Sequence, residues 1–234
     1  MRLDDHKQVS GEDTTPRRLL EAAERLFAEH GFAGTSVRDI TKAAGCNVAA
    51  VNYHFGSKER LYQELFSTRL DELREQRTAA VAAVLPQAER EQNVAQVLEA
   101  FARAFIRPLT DPQRGRWVMG MFMREMTDPR LDRRMLVEKL FDPVQIMMCD
   151  ALTRCVKGLT QQQAVLCVHS LVAQLLHAVQ AERLFGGKAT GPAAVMMDTD
   201  RVIEHVVRFS EGGIVHRANE KHRGATRGRK RRIG

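Results

Sequence analysis

Apolar residues recur every three or four positions along most of the chain, which is the spacing of one face of an α-helix. The first predicted helix begins at Thr15-Pro16, because Thr is a good N-cap and Pro fits the first turn, and it stops at Gly31. Two shorter helices follow on either side of Gly45, and Gly56-Ser57 precedes a long fourth helix. No segment sustains the alternation of a strand, so the predicted class is all-α.

The rest of the chain continues the helical pattern. An amphipathic stripe covers residues 94–105, and Pro143 predicts a kink in a later helix. Thr160 and Gln163 have the spacing of a capping box, which opens a strongly apolar helix. The last predicted helix covers about residues 199–209.

The stretch GCNVAAVNYHFGSKE, residues 45–59, places a very short helix between two glycines. Helices this short are marginal in water, so the second and third helices must be held by packing on the first and fourth. Two helices joined by a tight turn that contains glycine form a helix-turn-helix, whose second helix lies in the major groove of DNA. Val51 and Phe55 are four residues apart and can face inward, which leaves the other positions exposed.

The side chains at those exposed positions have the chemistry that reads DNA. The amide of Asn52 can pair with adenine, and Val48 or Ala49 can contact thymine methyl groups. Tyr53 and His54 can donate hydrogen bonds to phosphates.

Two helix starts flank this stretch, at Thr35-Ser36 and at Ser57-Lys58, and place hydroxyl and N–H groups where phosphate is favoured. The charge between Thr14 and Phe66 is nearly balanced, with seven Lys or Arg against six acidic residues. Affinity for DNA would therefore depend on placed hydrogen bonds and dimerisation more than on a broad basic field. The alternative for the stretch is a packed helical turn with no ligand.

The segment TPRRLLEAAERLFAEHGFAGTSVRDITKAAGCNVAAVNYHFGSKERLY resembles the N-terminal domain of the TetR family of bacterial transcription regulators. The resemblance covers about Thr14 to Phe66. It includes the FxxxGFxGTSVRDI block, the Ala-Gly turn, the Tyr-His-Phe close and the Ser-Lys-Glu start of the fourth helix. It implies an all-α fold with an N-terminal three-helix DNA-binding domain and a larger helical domain that binds a ligand and dimerises.

By position, the resemblance implies that a helix over about Asn47–Phe55 contacts DNA. The sequence departs from the family pattern at Val48, where a polar or basic residue is frequent, and at Asn52, where an aromatic is frequent. The candidate DNA contacts are Thr35, Ser36, Asn47, Val48, Ala49, Ala50, Asn52, Tyr53, His54 and Lys58.

The expected domains are a flexible N-terminus at residues 1–13, the DNA-binding domain at 14–70, the ligand-binding and dimerisation domain at 71–212, and a disordered basic tail at 213–234. The family dimerises through its last two long helices. The apolar helix that Thr160 opens is apolar on more than one face, so we expect it between its own core and a partner subunit. The expected dimer contacts are Val168, Leu171, Val172, Leu175 and Val179.

The family's C-terminal domains hold a cavity, so the resemblance implies a small apolar or amphipathic effector. Methionine and aromatic side chains suit such a cavity, although ordinary core is the alternative for each of them. The candidate pocket residues are Phe101, Phe105, Trp117, Met119, Phe122, Met126 and Met147. The stretch MREMTDP, residues 123–129, also resembles C-terminal domains of the CerR type.

The net charge of +7 is concentrated at one end of the chain. Residues 213–234 hold eight Lys or Arg against one acidic residue, so the remaining residues are neutral overall. A segment this poor in apolar residues is expected to be disordered. This segment either contacts phosphates that flank the DNA site or is a solvated extension without function.

Several function classes are not expected. The four cysteines have no metal-ligand spacing, and no nucleophile–base–acid set stands out, so we expect no metal, no cofactor and no enzymatic activity. The first residues have no apolar signal core, and we expect no stretch to approach the ~18 apolar residues of a membrane span. We therefore expect a cytoplasmic protein without a membrane partner.

Together these features predict a homodimeric regulator that binds an inverted-repeat operator in double-stranded DNA. In this family such a regulator is most often a repressor that an effector releases. Two other classes are weighed against it: a helical sensor or protein-interaction module without DNA binding, and an enzyme with an all-α pocket. A salt-sensitive complex with a palindromic DNA site would separate the first class from the other two.

Overall fold

The computed structural model describes residues 14–111, 115–185 and 198–230. The described residues form helices and turns without a strand, which confirms the all-α prediction. The helices are α1 (Thr15–His30), α2 (Val37–Ala44), α3 (Ala49–Phe55), α4 (Lys58–Glu91), α5 (Val94–Thr110), α6 (Gly115–Thr127), α7 (Arg133–Leu136), α8 (Asp142–Cys155), α9 (Gln161–Phe185) and α10 (Thr199–Lys230), with a π-helical segment at Val137–Phe141. The predicted flexible N-terminus, residues 1–13, lies outside the described residues.

The chain divides into two compact units. The N-terminal unit contains the residues up to Thr68 together with Trp117–Leu131, and the C-terminal unit contains Arg69–Arg116 and the residues from Asp132 onward. The first unit's division after Thr68 lies near residue 70, and the domain boundary there stays a prediction. Placing Trp117–Leu131 in the second domain was wrong, because the side chains of this segment pack on α1 and α4, and helical periodicity does not show which neighbour a helix contacts.

The core of the N-terminal unit forms where α1 packs against α2 and α3. Leu19, Ile40, Val51 and Leu61 are fully buried, and each comes from a different helix. Burying a side chain of this size contributes about 1.5–3 kcal/mol, so these contacts can hold α2 and α3, which are too short to be stable alone. The two short helices therefore have a fixed position on α1.

The C-terminal unit is built from α5, α8, α9 and α10, which pack against one another. Near Pro143, where a kink was predicted, the structure has a π-helical segment just before α8. Because Pro143 has no N–H, the carbonyl of Lys139 loses its usual helical donor. That carbonyl accepts a hydrogen bond from Arg74 Nη1 at 3.4 Å, and Lys139 Nζ lies 2.9 Å from Asp71.

The last helix is much longer than predicted, and the expected disorder of residues 213–234 was wrong up to residue 230. Ile214 and Ala218 are buried, and Gln163 Nε2 donates to the carbonyl of Arg217 at 3.2 Å. These positions continue the spacing of Val207 and earlier buried residues, and the Gly212-Gly213 pair hid that spacing in the sequence. The final four residues, 231–234, lie outside the described part of the chain.

Helix α9 is long and apolar enough over Gln161–Ala181 to cross a membrane, which corrects the expectation that no stretch approaches such a span. A core helix of a soluble protein passes the same test. Here Leu171 and Leu175 are fully buried, and α9 packs on α5, α8 and α10. Its apolar composition therefore fits its place inside the C-terminal unit.

Candidate nucleic-acid interface

The turn between α2 and α3 is held by a glycine and an arginine. Gly45 ends α2 in the left-handed conformation, with φ of 62°, which an L-residue adopts only with strain. The Arg18 guanidinium donates hydrogen bonds to the carbonyls of Ala44 and Gly45, and a Cβ on Gly45 would lie 2.7 Å from Arg18 Nη2. The turn is thereby tied to α1, so α3 leaves it in one direction.

Helix α2 begins with a complete capping box. Ser36 Oγ accepts the N–H of Asp39 at 3.2 Å, and the Asp39 carboxylate accepts the N–H of Ser36 at 3.0 Å. The Ser36 hydroxyl also donates to Asp39 at 2.6 Å, and this hydrogen bond lowers the pKa of the Asp39 carboxyl. Ser36, predicted as a DNA contact, is exposed and also fixes the start of α2.

Helix α3 presents one face to the core and the other to solvent. Val51 is fully buried, and Asn47 Oδ1 accepts the N–H of Ala49 at 2.9 Å, which caps the helix as predicted. The tyrosine ring of Tyr53 is 84% exposed and meets His54 edge-on, with ring centroids 4.8 Å apart. Of the predicted contacts on this helix, the exposed ones are Asn47, Val48, Ala49, Asn52 and Tyr53, and the half-buried ones are Ala50 and His54.

Thr35 was expected to contact DNA, but its hydroxyl points into the protein. The side chain is buried, and Oγ1 donates to the carbonyls of Gly31 at 2.9 Å and Leu26 at 3.1 Å. It ties the end of α1 to the start of α2. The sequence did not reveal this, because a threonine beside a helix start has the same local pattern whether its hydroxyl faces in or out.

Lys58 also has a structural role. Its ammonium donates to the carbonyls of Phe32 and Thr35, both at 3.0 Å, and lies 4.1 Å from the centroid of the Phe32 ring. Two of the three N–H groups are thus used within the chain, and one is left for a phosphate. Lys58 joins the α1–α2 loop to the first turn of α4.

Two basic side chains that the sequence reasoning passed over lie on α2. Arg38 and Lys42 are both exposed, and they are four residues apart on one helix face. Their spacing was visible in the TSVRDITKAAG stretch. The predicted phosphate contacts lay at helix starts and on α3, and therefore did not include these two residues.

The segment Trp117–Leu131 joins the N-terminal unit through a buried polar cluster. The Tyr62 hydroxyl donates to Glu125 Oε1 at 2.6 Å, and Glu125 Oε2 accepts the N–H groups of Arg130 and Leu131, each at 3.0 Å. Burial, together with the hydrogen bond to Glu125, raises the pKa of Tyr62. Arg124 Nη2 adds a bond to the carbonyl of Glu29 at 3.1 Å, so the segment is fixed to α1 and α4.

Two family models match the chain. The model of bacterial regulatory proteins of the tetR family matches residues 19–65, and a tetracyclin repressor-like C-terminal domain matches residues 99–213. Together these two matches cover more than half of the 234 residues. The chain belongs to the tetR family. Members of this family are regulators and not enzymes.

Curated relatives match the chain over short segments. The transcriptional repressor AcnR of Corynebacterium efficiens is 47% identical over 47 residues, which is 20% of this chain and 25% of that protein. The transcriptional repressor KstR2 of Rhodococcus jostii is 42% identical over 65 residues, or 28% of this chain and 32% of that protein. The match therefore spans about a quarter to a third of the length of these relatives.

Solved tetR-like structures match over most of the chain. The tetR family regulator PfmR of Thermus thermophilus has a TM-score of 0.51 at 22% identity, covering 82% of this chain and 97% of that one. A transcriptional regulator from Saccharomonospora viridis in complex with choline has a TM-score of 0.61 at 20% identity. The match covers 86% of this chain and 97% of that one. At these identities the likeness shows the fold alone. The resemblance of residues 123–129 to CerR-type domains stays a prediction.

The predicted dimer contacts on α9 lie mostly inside the chain itself. Val168, Leu171, Leu175 and Val179 are all buried, and Val172 is half-buried. They were chosen because they are apolar, and an apolar pattern cannot tell a core face from a face that binds a partner. Among the described side chains of α9, the exposed ones are Gln161, Gln162, Leu166, His169, Ser170, Ala173, His177 and Gln180.

The predicted pocket residues are not brought together in one unit. Phe101 and Phe105 lie in the C-terminal unit with ring centroids 5.8 Å apart, whereas Phe122 lies in the N-terminal unit, 5.8 Å from Phe66. Met119 is buried in the N-terminal unit, and Met147 is half-buried on α8. The side chains of Trp117 and Met126 lie outside the described ones. Only Phe101, Phe105 and Met147 thus share the C-terminal unit.

A groove of about 620 Å³ lies between α5 and α10 in the C-terminal unit. Its lining is mainly charged and includes Glu99, Asp200 and Glu204, and Arg103 Nη1 lies 2.6 Å from Asp200. This lining differs from the apolar one that the sequence reasoning expected. Among the described residues, no group of three or more His, Cys, Asp or Glu is placed to hold a metal ion.

Proposed function

We propose that this protein is a homodimeric transcriptional regulator that binds a specific DNA sequence, and that it is a repressor which a small effector releases. The observation that carries the proposal is the solvent-facing side of α3. Val48, Ala49, Asn52 and Tyr53 are exposed there while Val51 anchors the helix in the core. A helix that is fixed on one side and exposes polar and small side chains on the other is what major-groove reading requires.

The chemistry of α3 supports a division of roles. The Asn52 amide can make two hydrogen bonds to adenine, and the small side chains of Val48 and Ala49 allow close approach and contact with thymine methyl groups. Tyr53 and the N–H groups at the start of α2 near Ser36 would contact phosphates. We add Arg38 and Lys42 to the phosphate contacts, because both are exposed on α2.

The relatives support the regulatory part of the proposal. AcnR and KstR2 are named repressors, and the tetR family model matches residues 19–65, which contain α2 and α3. A two-fold dimer would place two α3 helices on successive major grooves, so the operator should be an inverted repeat. Such a regulator acts in the cytoplasm, where its DNA is.

The exposed face of α9 is the proposed dimer surface. It includes Leu166, Ala173 and His177, and α10 exposes Phe209, whose side chain is 66% accessible. Ala173→Glu should give monomers in light scattering while the protein stays folded, because the new charge would face the partner. Leu175→Glu should instead unfold the C-terminal unit, since Leu175 is fully buried. If the Ala173→Glu protein is folded and still dimeric, the dimer interface does not include this face of α9.

Base reading is tested by titrating DNA with wild-type protein and with Asn52→Ala. We expect a loss of about 1–3 kcal/mol on the preferred site and a relaxed preference at one position in each half-site. Arg38→Ala should weaken binding to all DNA sequences about equally, because a phosphate contact carries no sequence information. Gln63→Ala, an exposed change on α4, is the control. Unchanged affinity and preference in Asn52→Ala would show that the base contact is wrong.

The basic end of α10 is tested by deleting residues 220–234, because Ile214 and Ala218 are buried and must be kept. Each phosphate that this segment contacts adds roughly 0.9 to the slope of log affinity against log salt. If the segment reaches DNA, the deletion lowers affinity for operator and random DNA alike and flattens that slope. Equal slopes would mean that it does not reach the DNA.

A further inference from the structure

One arginine occupies a core position of the C-terminal unit. Arg77 lies on α4 at helical spacing from Leu70, Leu73 and Val81, which are all buried. Its own side chain is only 5% exposed. The sequence therefore places a cation on the apolar stripe of α4, where a leucine or methionine would continue the pattern.

The surroundings of Arg77 do not supply a counter-ion. Its guanidinium carbon lies 4.1 Å from the centroid of the Phe105 ring, and its Nε is buried without a hydrogen-bond partner. No described carboxylate forms an ion pair with it. Arg74, one turn earlier on α4, differs in this respect, because its Nη1 lies 2.8 Å from Asp71.

A buried cation of this kind is costly. Burial lowers the pKa of the Arg77 guanidinium to about 10, which still leaves it charged at neutral pH. An aromatic face offsets only part of the lost hydration. A guanidinium has a rigid fork of N–H donors that matches the oxygen atoms of an anion, so a buried arginine with free donors is suited to an anion that enters the fold.

We propose that Arg77 binds the oxyanion group of the effector, so that the effector is an organic anion with an apolar body. The Phe101 and Phe105 rings, 5.8 Å apart, would contact the apolar body. This inference rests on the proposed control by an effector and gives that effector a chemical class. It excludes a simple cation such as the choline bound by the Saccharomonospora viridis regulator.

Two dyes with the same aromatic body test the proposal. The sulfonate 8-anilinonaphthalene-1-sulfonate carries an oxyanion, and N-phenyl-1-naphthylamine is the same molecule without it. Both become fluorescent in apolar surroundings, so each can be titrated against the full chain. Competition by decanoate, compared with decanol, checks that a carboxylate can replace the sulfonate.

Wild-type protein should bind one sulfonate dye per chain about 10- to 100-fold more tightly than the neutral dye, which is the range of a charge-assisted hydrogen bond. Arg77→Met should remove this preference and leave the affinity for the neutral dye within about twofold. Arg77→Lys should keep part of it, because the charge remains without the fork. Arg208→Met, an exposed change on α10, is the matched control and should behave as wild type.

Three results would overturn the proposal: no saturable binding of the sulfonate dye, equal affinity of the wild type for both dyes, or an unchanged preference in Arg77→Met. A lower melting temperature of Arg77→Met would also overturn it, because Arg77 would then stabilise the ligand-free fold through contacts within the chain, such as that with Phe105. DNA binding is measured separately on the same proteins. If no protein binds DNA but the dye preference holds, the proposed regulatory function fails and the anion site stands.

Discussion

The two units differ in whether their buried polar side chains have hydrogen-bond partners. In the N-terminal unit the buried Thr35 hydroxyl has two carbonyl acceptors, and the buried Glu125 accepts from Tyr62 and two backbone N–H groups. Among the described side chains, both buried polar atoms without a partner, Arg77 Nε and Ser210 Oγ, lie in the C-terminal unit. A buried group with partners stabilises the fold, whereas a buried charge without one requires another explanation.

The exposed groups complete this comparison. The N-terminal unit places Asn52 and Tyr53 in solvent on α3, where a large partner such as DNA can reach them. The C-terminal unit keeps Arg77 in its core, with only 5% of the residue exposed. Under the two proposals, the N-terminal unit offers exposed polar groups to DNA, and the C-terminal unit offers a buried charge to an effector.

The largest expected effect on stability comes from breaking the hydrogen-bonded cluster around Glu125 in the N-terminal unit. Glu125→Ala removes the acceptor of the Tyr62 hydroxyl and of the N–H groups of Arg130 and Leu131. Each buried donor left unsatisfied costs about 1–3 kcal/mol, so the free energy of unfolding should fall by about 3 kcal/mol or more. Urea denaturation measures this, with exposed Glu64→Ala as the control. A loss below about 1 kcal/mol would show that the cluster is not structural.

A change of opposite sign is expected in the C-terminal unit. Arg77→Met removes a buried charge and keeps most of the side-chain volume, so the ligand-free protein should gain about 1–3 kcal/mol. The same urea denaturation compares it with Glu125→Ala. If both variants are destabilised, the contrast between the two units is wrong.

The smallest expected effect on stability comes from the hydrogen-bonded Ser36 side chain at the surface. Ser36→Ala removes the side-chain cap of α2 and should cost about 1 kcal/mol. The hydrogen bond from Ser36 lowers the pKa of Asp39 in the folded protein, so its stabilising effect is present above the usual carboxyl pKa and is lost as the pH falls below it. In Ser36→Ala the pKa of Asp39, followed by NMR, should rise towards its usual value. An unchanged pKa would mean that another group lowers it.

Local chemistry could be predicted from the sequence, and contacts between distant residues could not. The capping residues Ser36 and Asn47 and the turn glycine Gly45 act on groups a few positions away, so their patterns are visible in the chain. The capping box of Thr160 and Gln163 is confirmed for the same reason.

Several of the wrong predictions concern the direction of a side chain or its contact with a distant residue. The hydroxyl of Thr35 turns inward to carbonyls on α1, and Leu175 faces its own core rather than solvent. Arg77 was not considered, because an arginine in a helix is normally exposed. Its burial against Phe105 depends on a neighbour 28 positions along the chain, and helical periodicity carries no information about that contact.

The central claim is that the exposed face of α3 reads a specific DNA sequence. The most direct test is to select binding fragments from a random DNA pool with wild-type protein and, in parallel, with Asn52→Ala. The claim predicts that the wild type enriches an inverted repeat and that Asn52→Ala enriches the same repeat with one position relaxed in each half. If the wild type enriches no sequence over the starting pool, α3 does not read DNA and the account is contradicted.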